Sequence, residues 1–562
     1  IRREVLTETC QRVLPSMFCT AFTECVSFLS LGLSSAPVLK VFSFYASAGV
    51  IANFFFALLI FIPVFFFAMK YSTAPRGVCS PVDCIPSGKS GIRRTTRRKF
   101  DQIRSSRGWM PHLLEKYYAP IIFTKKGRYL TILLQFILIA IAIVFIPQLP
   151  IGLDEKMSVP IDSYVYKFMA ELPFTLSVSM PVHFVVHAKN GATLNVHDKN
   201  LMDLFCTHRG CNERSLGNLI DEAVKVTKTD LISQPAMNWL DDYTKFRAIS
   251  SSGRSCCLFN RKEGRYCTYE EHSHRRDGNF ANVSTNERHL QPYRDMVKDL
   301  GQFKCAMPTL DCGMNGGMAH NEALNIDEYG QVKAFYLRSF HRTFSNSSDF
   351  IDGLRLSRLI CDEFRKVLDV NGYKDIEVFP YSFYYVYYDQ YLFIAFSTTS
   401  QLALSAGIAF IGLTMTTVSP TTALIVAVNT LSATLLLVGY MVMMGIELNA
   451  LTIVNLAMSL GIDLEFFAHL CFAYANSGRA NRIGRATDAL VNVGSTVFSG
   501  IVFTKFIGLL VLYNAQSQIF KTYYFDFYLG LIPIGTLHGF LFLPVMLTFW
   551  GPDTYLRRYV EQ

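Results

Sequence analysis

Eight apolar runs fix what this chain can become: Pro15–Ser34, Phe42–Met69, Tyr129–Leu149, Thr399–Val418, Thr421–Gly445, Asn449–Ala475, Leu490–Tyr513 and Tyr524–Phe549. Each is about 18 residues or longer, the length an α-helix needs to cross the hydrocarbon of a bilayer. Hydrocarbon offers no partner to a backbone N–H or C=O, so each run must close its hydrogen bonds within itself, as a helix. Composition agrees, since only 17% of the 562 residues are charged and 51% are hydrophobic, against about 25% charged in soluble domains. The sequence predicts a polytopic α-helical membrane protein with one large polar stretch, residues 150–398, between its third and fourth spans.

Basic loops stay on the cytoplasmic side of a membrane. Between Lys70 and Arg128 stand 14 Lys and Arg against 3 Asp and Glu, a surplus larger than the net +9 of the whole chain. Threading eight spans alternately brings the loop with Arg479, Arg482 and Arg485, and the tail with Arg557 and Arg558, to that same side. Residues 150–398 then face the lumen or the cell exterior. The polar stretch holds eight of the 14 cysteines, Cys206, Cys211, Cys256, Cys257, Cys267, Cys305, Cys312 and Cys361. An even number there suits disulfides formed in an oxidising compartment, with their pairing open. Two glycosylation sequons, at Asn282 and Asn346, lie in it as well. Strand-like runs at Pro181–Ala188, Val332–His341 and Ile376–Pro380, with helix-like Ser215–Val226 and Asp349–Leu368, predict an α+β domain of split βαβ order.

The first two spans resemble the last two. Ser16-Met17-Phe18 recurs as Thr496-Val497-Phe498, and Phe61-Ile62-Pro63-Val64 as Phe542-Leu543-Pro544-Val545, at separations of 45 and 46 residues from Phe to Pro. Such a repeat reads as a duplication. Six spans, one before the polar domain and five after it, make one half, and the first pair is expected to close another half whose earlier helices precede Ile1. The chain thus divides into two helices (1–69), a basic cytoplasmic loop (70–128), a membrane helix (129–149), a cysteine-rich lumenal α+β domain (150–398), a five-helix bundle (399–550) and a cytoplasmic tail (551–562).

Ionisable groups at membrane depth are the sharpest local signal, because each costs about 2.5–3.5 kcal/mol at a helix centre on insertion scales. Asp463, Glu465 and His469 share one span, Lys505 lies in the next, and Glu24 lies in the first span near the position that the repeat pairs with Lys505. Glu465 and His469 are four residues apart and share a face, whereas Asp463 points about 200° away from Glu465. Glu465 and His469 are expected toward Lys505 in the bundle interior, with Asp463 turned to another helix from outside this chain. Two readings compete for the group, a cluster that takes up and releases a proton and a static polar clamp between helices. His538 in the last span reads as a hydrogen-bonded packing residue.

Other motifs carry less. Cys79 and Cys84, even with His112, fall short of four zinc ligands and read as acylation sites or as no site. The His272 and His274 region is a charged, solvated loop. Arg93-Arg94-Thr95-Thr96-Arg97-Arg98-Lys99 fits anionic lipid rather than nucleic acid. Cys312-Gly313-Met314-Asn315-Gly316-Gly317 lacks the setting of a phosphate loop, and no nucleophile constellation is present. No enzymatic activity, metal or cofactor is expected.

Several stretches occur together and in order: Ile151-Gly152-Leu153-Asp154 with Pro160-Ile161-Asp162-Ser163-Tyr164, Trp239-Leu240-Asp241-Asp242-Tyr243, Ser255-Cys256-Cys257, and Val378-Phe379-Pro380-Tyr381-Ser382. They are followed by Tyr388-Asp389-Gln390-Tyr391-Leu392, by Gly461-Ile462 with Glu465, Phe466 and His469, and by Ser499-Gly500 with Thr504-Lys505-Phe506. With them the chain resembles the Niemann-Pick type C family of membrane-bound sterol transporters, within the Patched-like superfamily. The resemblance implies a resistance-nodulation-division-like fold and makes the first two spans the end of a sterol-sensing domain. It also implies export of cholesterol or a related lipid from late endosomes or lysosomes, possible ion coupling, and delivery by a soluble lumenal sterol carrier to the lumenal domain. A Patched-like receptor for a secreted ligand, at the plasma membrane, is the alternative. The charge-rich loop Leu258–Gln291 and Asp463, where the family carries a small polar residue, depart from the pattern.

Sidedness is directly testable. Asn282→Gln and Asn346→Gln should each remove one endoglycosidase-sensitive step from the protein's gel mobility, and a wild-type chain insensitive to the enzyme would put residues 150–398 on the cytoplasmic side.

Overall fold

The computed structural model describes residues 2–34, 37–71, 109–175, 180–247 and 322–552, apart from short breaks at 197, 208–209, 226–230, 327–330, 345, 418 and 501–503, together with residues 258–260, 265–266, 280–282 and 320. Six helical stretches among these residues are long and apolar enough to cross a membrane: Pro37–Phe67, Lys125–Gln148, Ile394–Thr414, Pro420–Met444, Ala450–Ala475 and Phe520–Trp550. Of the other two expected spans, the first lies in a helix whose apolar part is Thr20–Leu31. The seventh is helical on both sides of residues 501–503. Backbone contacts divide the chain into two units, residues 1–163 with 393–562, and residues 164–392.

Helices α1 (Arg2–Leu31) and α2 (Pro37–Phe56) pack through small hydroxyl residues. Ser43 donates to the Phe28 carbonyl at 2.7 Å and Ser47 to the Cys25 carbonyl at 3.2 Å, contacts that let two backbones approach in hydrocarbon. The helix line then passes through a π turn, Ala57–Phe61, and continues as Ile62–Tyr71. Pro63 explains the π turn: it brings no N–H for the Leu59 carbonyl, and its ring would clash with that carbonyl in a regular helix. A broken helical segment, Trp109–Ile122, buries Leu114, Ala119 and Ile122 and leads into α3 (Lys125–Phe145), capped by Thr124.

The unit formed by residues 164–392 is a split βαβ domain. Strand β1 (Pro181–Ala188), helix α4 (Leu216–Lys225), strand β2 (Ile232–Met237), the small sheet of β3 (Leu258–Asn260), β4 (Arg265–Tyr266) and β5 (Phe280–Asn282), strands β6 (Leu324–Ile326) and β7 (Val332–His341), helix α5 (Ser347–Val370) and strand β8 (Ile376–Tyr381) follow in order. The main sheet is antiparallel in the order β2-β7-β1-β8, with β6 also on β7. Val185 pairs with Tyr336 on one side and Phe379 on the other. Alternation decides the buried face, so Val182, Phe184 and Val186 of β1 are fully buried, as are Leu354, Cys361, Phe364 and Leu368 of α5, which packs against β8. Trp239 is wholly buried, its ring 5.5 Å from that of Phe335.

Cys206 and Cys211 form a disulfide. With both sulfurs bonded, their closeness to Asp241 is not a thiolate metal site; the Asp241 carboxylate instead accepts the Thr207 N–H at 3.0 Å. Cys361, expected among the disulfide cysteines, is a free thiol. Its place on the inward stripe of α5 buries it in the apolar layer, where it packs as a small hydrophobe and burial pushes its thiol up to about 12. Cys256, Cys257, Cys267, Cys305 and Cys312 lie outside the described residues, as does the side chain of Asn282, whereas Asn346 is exposed at the start of α5.

The membrane unit resumes with α6 (Ile394–Thr417), α7 (Pro420–Met444) and α8 (Ala450–Ala475). Helix α9 (Arg482–Ala489) runs through a π turn, Leu490–Gly494, to Phe498, and α10 spans Thr504–Tyr513. The last span is broken in the same manner: a π segment Phe520–Asp526, α11 (Phe527–Leu537), a π turn His538–Phe542, and α12 (Leu543–Trp550). That second π turn ends two residues before Pro544, as Ala57–Phe61 ends two residues before Pro63. The repeat read from sequence therefore extends to a backbone irregularity and its cause.

One buried histidine makes the extramembrane unit acid-sensitive. In β7, His341 is 1% exposed, with Nδ1 2.9 Å from the Leu231 carbonyl and Nε2 2.6 Å from the Tyr385 hydroxyl. Burial holds it down at about 4. Folding prefers the neutral ring, so its contribution is whole above the unfolded value near 6.5 and is lost as pH falls toward 4, about 3 kcal/mol in all. Thermal unfolding of this unit followed from pH 7.5 to pH 4 should show that loss, and His341→Gln should flatten the profile.

Candidate functional site

Helix α8 is central to the membrane unit, and its start is fixed by a capping box. Asn449 caps it, accepting from the N–H groups of Leu451 and Thr452 and donating its own N–H to the Thr452 hydroxyl at 2.8 Å. The Asn449 amide also donates to the Gly152 carbonyl at 3.0 Å, and Gly152 N–H donates to the Leu448 carbonyl at 3.1 Å. Ile151-Gly152 thus pairs with the chain just before α8 as a short parallel bridge.

Downstream, α8 carries a buried polar stripe at four-residue spacing: Asn455, Ser459 and Asp463 are 0%, 0% and 2% exposed. The last span runs beside this stripe in the same direction. Asn455 donates to the Tyr523 carbonyl at 2.6 Å. Asp463 faces Gly535, where a Cβ would stand 2.7 Å from the carboxylate Oδ1. Among the described residues that oxygen is buried with no hydrogen-bond partner. On another face of α8, a Cβ at Gly461 would stand 3.2 Å from Cγ of Glu24, so α1 lays its one acidic membrane side chain across that glycine.

Lys505, at the start of α10, joins these groups, lying within electrostatic reach of Glu465, Glu24 and Asp463. His469 lies within reach of Glu465. The five side chains singled out from sequence are thus one neighbourhood, but two point otherwise than expected. Asp463 is buried against the last span of this chain, because Gly535 leaves room for it. Glu465 is exposed rather than interior, on the face of α8 that the described helices leave open. The 200° offset was legible; which helix fills each side was not. His538 is fully buried and bonded at both nitrogens, Nδ1 to the Ile534 carbonyl at 2.9 Å and Nε2 to the Ser432 hydroxyl at 3.0 Å, which itself accepts from Gln135 at 3.3 Å.

Phe506, the residue after Lys505, belongs to a feature that sequence reading missed. A cavity of about 640 Å³ is lined by Tyr118, Phe498, Phe506, Leu529, Ile532, Pro533, Thr536, Leu537, Phe540 and Leu541. Seven of these ten come from one stripe of the last span, and Phe506 adjoins Lys505. Tyr118 of the segment Trp109–Ile122 donates to the Phe540 carbonyl at 3.2 Å. That carbonyl lies four residues before Pro544, which offers it no N–H. Pro533, a proline inside an apolar span, was the available signal.

Residues 3–82 match the family described as the sterol-sensing domain of SREBP cleavage-activation. Over 98% of its length the chain is 31% identical to NPC intracellular cholesterol transporter 1 of Sus scrofa, and over 99% it is 30% identical to NPC intracellular cholesterol transporter 1 homolog 1b of Drosophila melanogaster. It covers 42% and 44% of those proteins, and so spans less than half of their length. Protein patched homolog 1 of Danio rerio is 26% identical over 39% of the chain. The cryo-EM structure of the hedgehog release protein Disp from the water bear Hypsibius dujardini superposes on 97% of this chain with a TM-score of 0.53 at 14% identity, a likeness of fold.

The Asp463–Gly535 contact can be probed alone. Gly535→Ala should force the two helices apart at a cost of about 1–3 kcal/mol, read as a melting temperature several degrees lower in detergent. Adding Asp463→Ala should recover much of that loss; no recovery would mean that the contact does not set the spacing.

Proposed function

From a chain related over nearly its whole length to the Niemann-Pick type C proteins, with a resistance-nodulation-division-like membrane fold, we propose a transporter of cholesterol or a closely related lipid. It takes lipid from the lumen of late endosomes or lysosomes into or across the membrane, and a soluble lumenal sterol carrier delivers that lipid to the extramembrane unit. The observation that carries this reading is the adjacency of Lys505, in the charge cluster, and Phe506, in the wall of an apolar cavity. A cavity of about 640 Å³ falls within the roughly 300–1,000 Å³ range of small-molecule sites. Its wall is almost wholly apolar, as a sterol ring system requires.

The neighbouring charges supply a drive. One ammonium faces three carboxylates, so with all of them ionised the site holds excess negative charge in a medium where each uncompensated charge costs several kcal/mol. Taking up protons from an acidic lumen relieves that excess. Helix α10 carries both the cation and a cavity wall, so a change of charge at Lys505 acts on the helix that shapes the lipid site.

The local likeness to a patched homologue favours a second reading, a receptor whose membrane fold senses sterol and whose extramembrane unit binds a secreted ligand. Purified extramembrane unit should capture a soluble sterol carrier; capture of a secreted morphogen alone would favour the receptor. For the drive, Glu465→Gln should cut sterol egress from acidic compartments several-fold at normal expression, and unimpaired egress would remove Glu465 from the coupling.

A further inference from the structure

The last span contains two prolines, and each removes the N–H that would otherwise bond a carbonyl four residues earlier. Pro544 frees the Phe540 carbonyl, and the Tyr118 hydroxyl satisfies it. Pro533 frees the Leu529 carbonyl in the same way, and among the described residues no side chain donates to it. A helical carbonyl points along the axis toward the residue four ahead, so this one lies between Leu529 and Pro533, both of which line the cavity. The other polar groups of the wall are engaged. Thr536 donates to the Ile532 carbonyl at 2.7 Å, and Tyr118 donates to Phe540. With those two protons spent, the described wall offers its occupant acceptors and no donor, and the Leu529 carbonyl is the backbone acceptor among them.

We propose that the cavity holds a lipid whose single polar group is a hydroxyl, and that this hydroxyl donates to the Leu529 carbonyl. The class is free 3-hydroxysterols and similar rigid alcohols, and not their ethers or esters, which have no proton to give. The hydrocarbon body lies along Thr536, Leu537 and Leu541 toward Tyr118. From Leu529 to Leu541 the helix rises about 18 Å, a span suited to a sterol lying parallel to it. The inference deepens the transport reading and rests on it in one respect, that the cavity is where the lipid sits.

The test uses the protein in lipid nanodiscs with a diazirine-bearing cholesterol and its 3-methyl ether as probes. Adducts are counted on the peptides containing Phe498, Phe506 and Leu529–Leu541. In the wild type the alcohol should label at about three- to tenfold lower concentration than the ether, the worth of one hydrogen bond. Pro533→Ala, which returns an N–H to the Leu529 carbonyl, should bring the alcohol to the level of the ether and leave the ether unchanged. Equal labelling by the two probes in the wild type, or a preference that survives Pro533→Ala, would overturn the assignment; the first comparison needs no variant to fold. Leu537→Trp, which fills the cavity, separates this failure from the larger one. If it leaves the labelling by both probes intact, the cavity is not the lipid site and the transport reading loses its support. If it abolishes labelling while the alcohol and the ether remain equal, the hydroxyl contact alone is wrong.

Discussion

The constraint on which this structure depends is that hydrocarbon returns no hydrogen bonds. A helix meets that constraint for its own backbone, and each departure from regular helix must be made good by a neighbour. The neighbours here are specific. Serines of α2 bond to carbonyls of α1, Tyr118 reaches the carbonyl released by Pro544, Tyr440 reaches the Asp526 carbonyl at 3.0 Å where the last span is wound as a π segment, and Asn455 reaches the Tyr523 carbonyl. The irregular last span is held in place by the groups that compensate it. Its irregularity is also what gives it a chemically distinct face, since in a straight helix that stripe would be hydrocarbon alone.

Charge follows the same logic at higher cost. Asp463 is tolerated at full burial because glycine leaves space at Gly535 and a lysine stands in electrostatic reach. Glu24 is tolerated because Gly461 lets it lie flat against α8. The exposed placement of Glu465 has another meaning. A carboxylate on an open face of a membrane helix demands a polar or protein neighbour, and the described helices of this chain supply only part of one.

Much of the fold was legible because periodicity is local. The strands Pro181–Ala188 and Val332–His341 begin and end where the alternation of apolar residues says they should, and the long apolar runs became helices where they are described. What stayed hidden depends on arrangement across the chain. The parity of eight cysteines pointed to Cys361 as a bridge half, but parity is a property of the whole set, whereas its place on the inward stripe of α5 is local and decided the matter. The angular offset between Asp463 and Glu465 was readable, yet which neighbour lay on each side required the packing of the last span. The cavity was hidden for the same reason, since its wall is gathered from Tyr118, Phe498, Phe506 and the last span. Only Pro533 marked it in advance.

The paired π turns, one before Pro63 and one before Pro544, have a mechanical corollary. A π turn is an α-helix carrying one residue more than its hydrogen bonds need. Passing that surplus residue along the helix advances everything beyond it by about 1.5 Å and swings it through about 100°, without exposing a backbone group to lipid. Each copy of the repeat thus keeps a ratchet tooth of the same size at the same place.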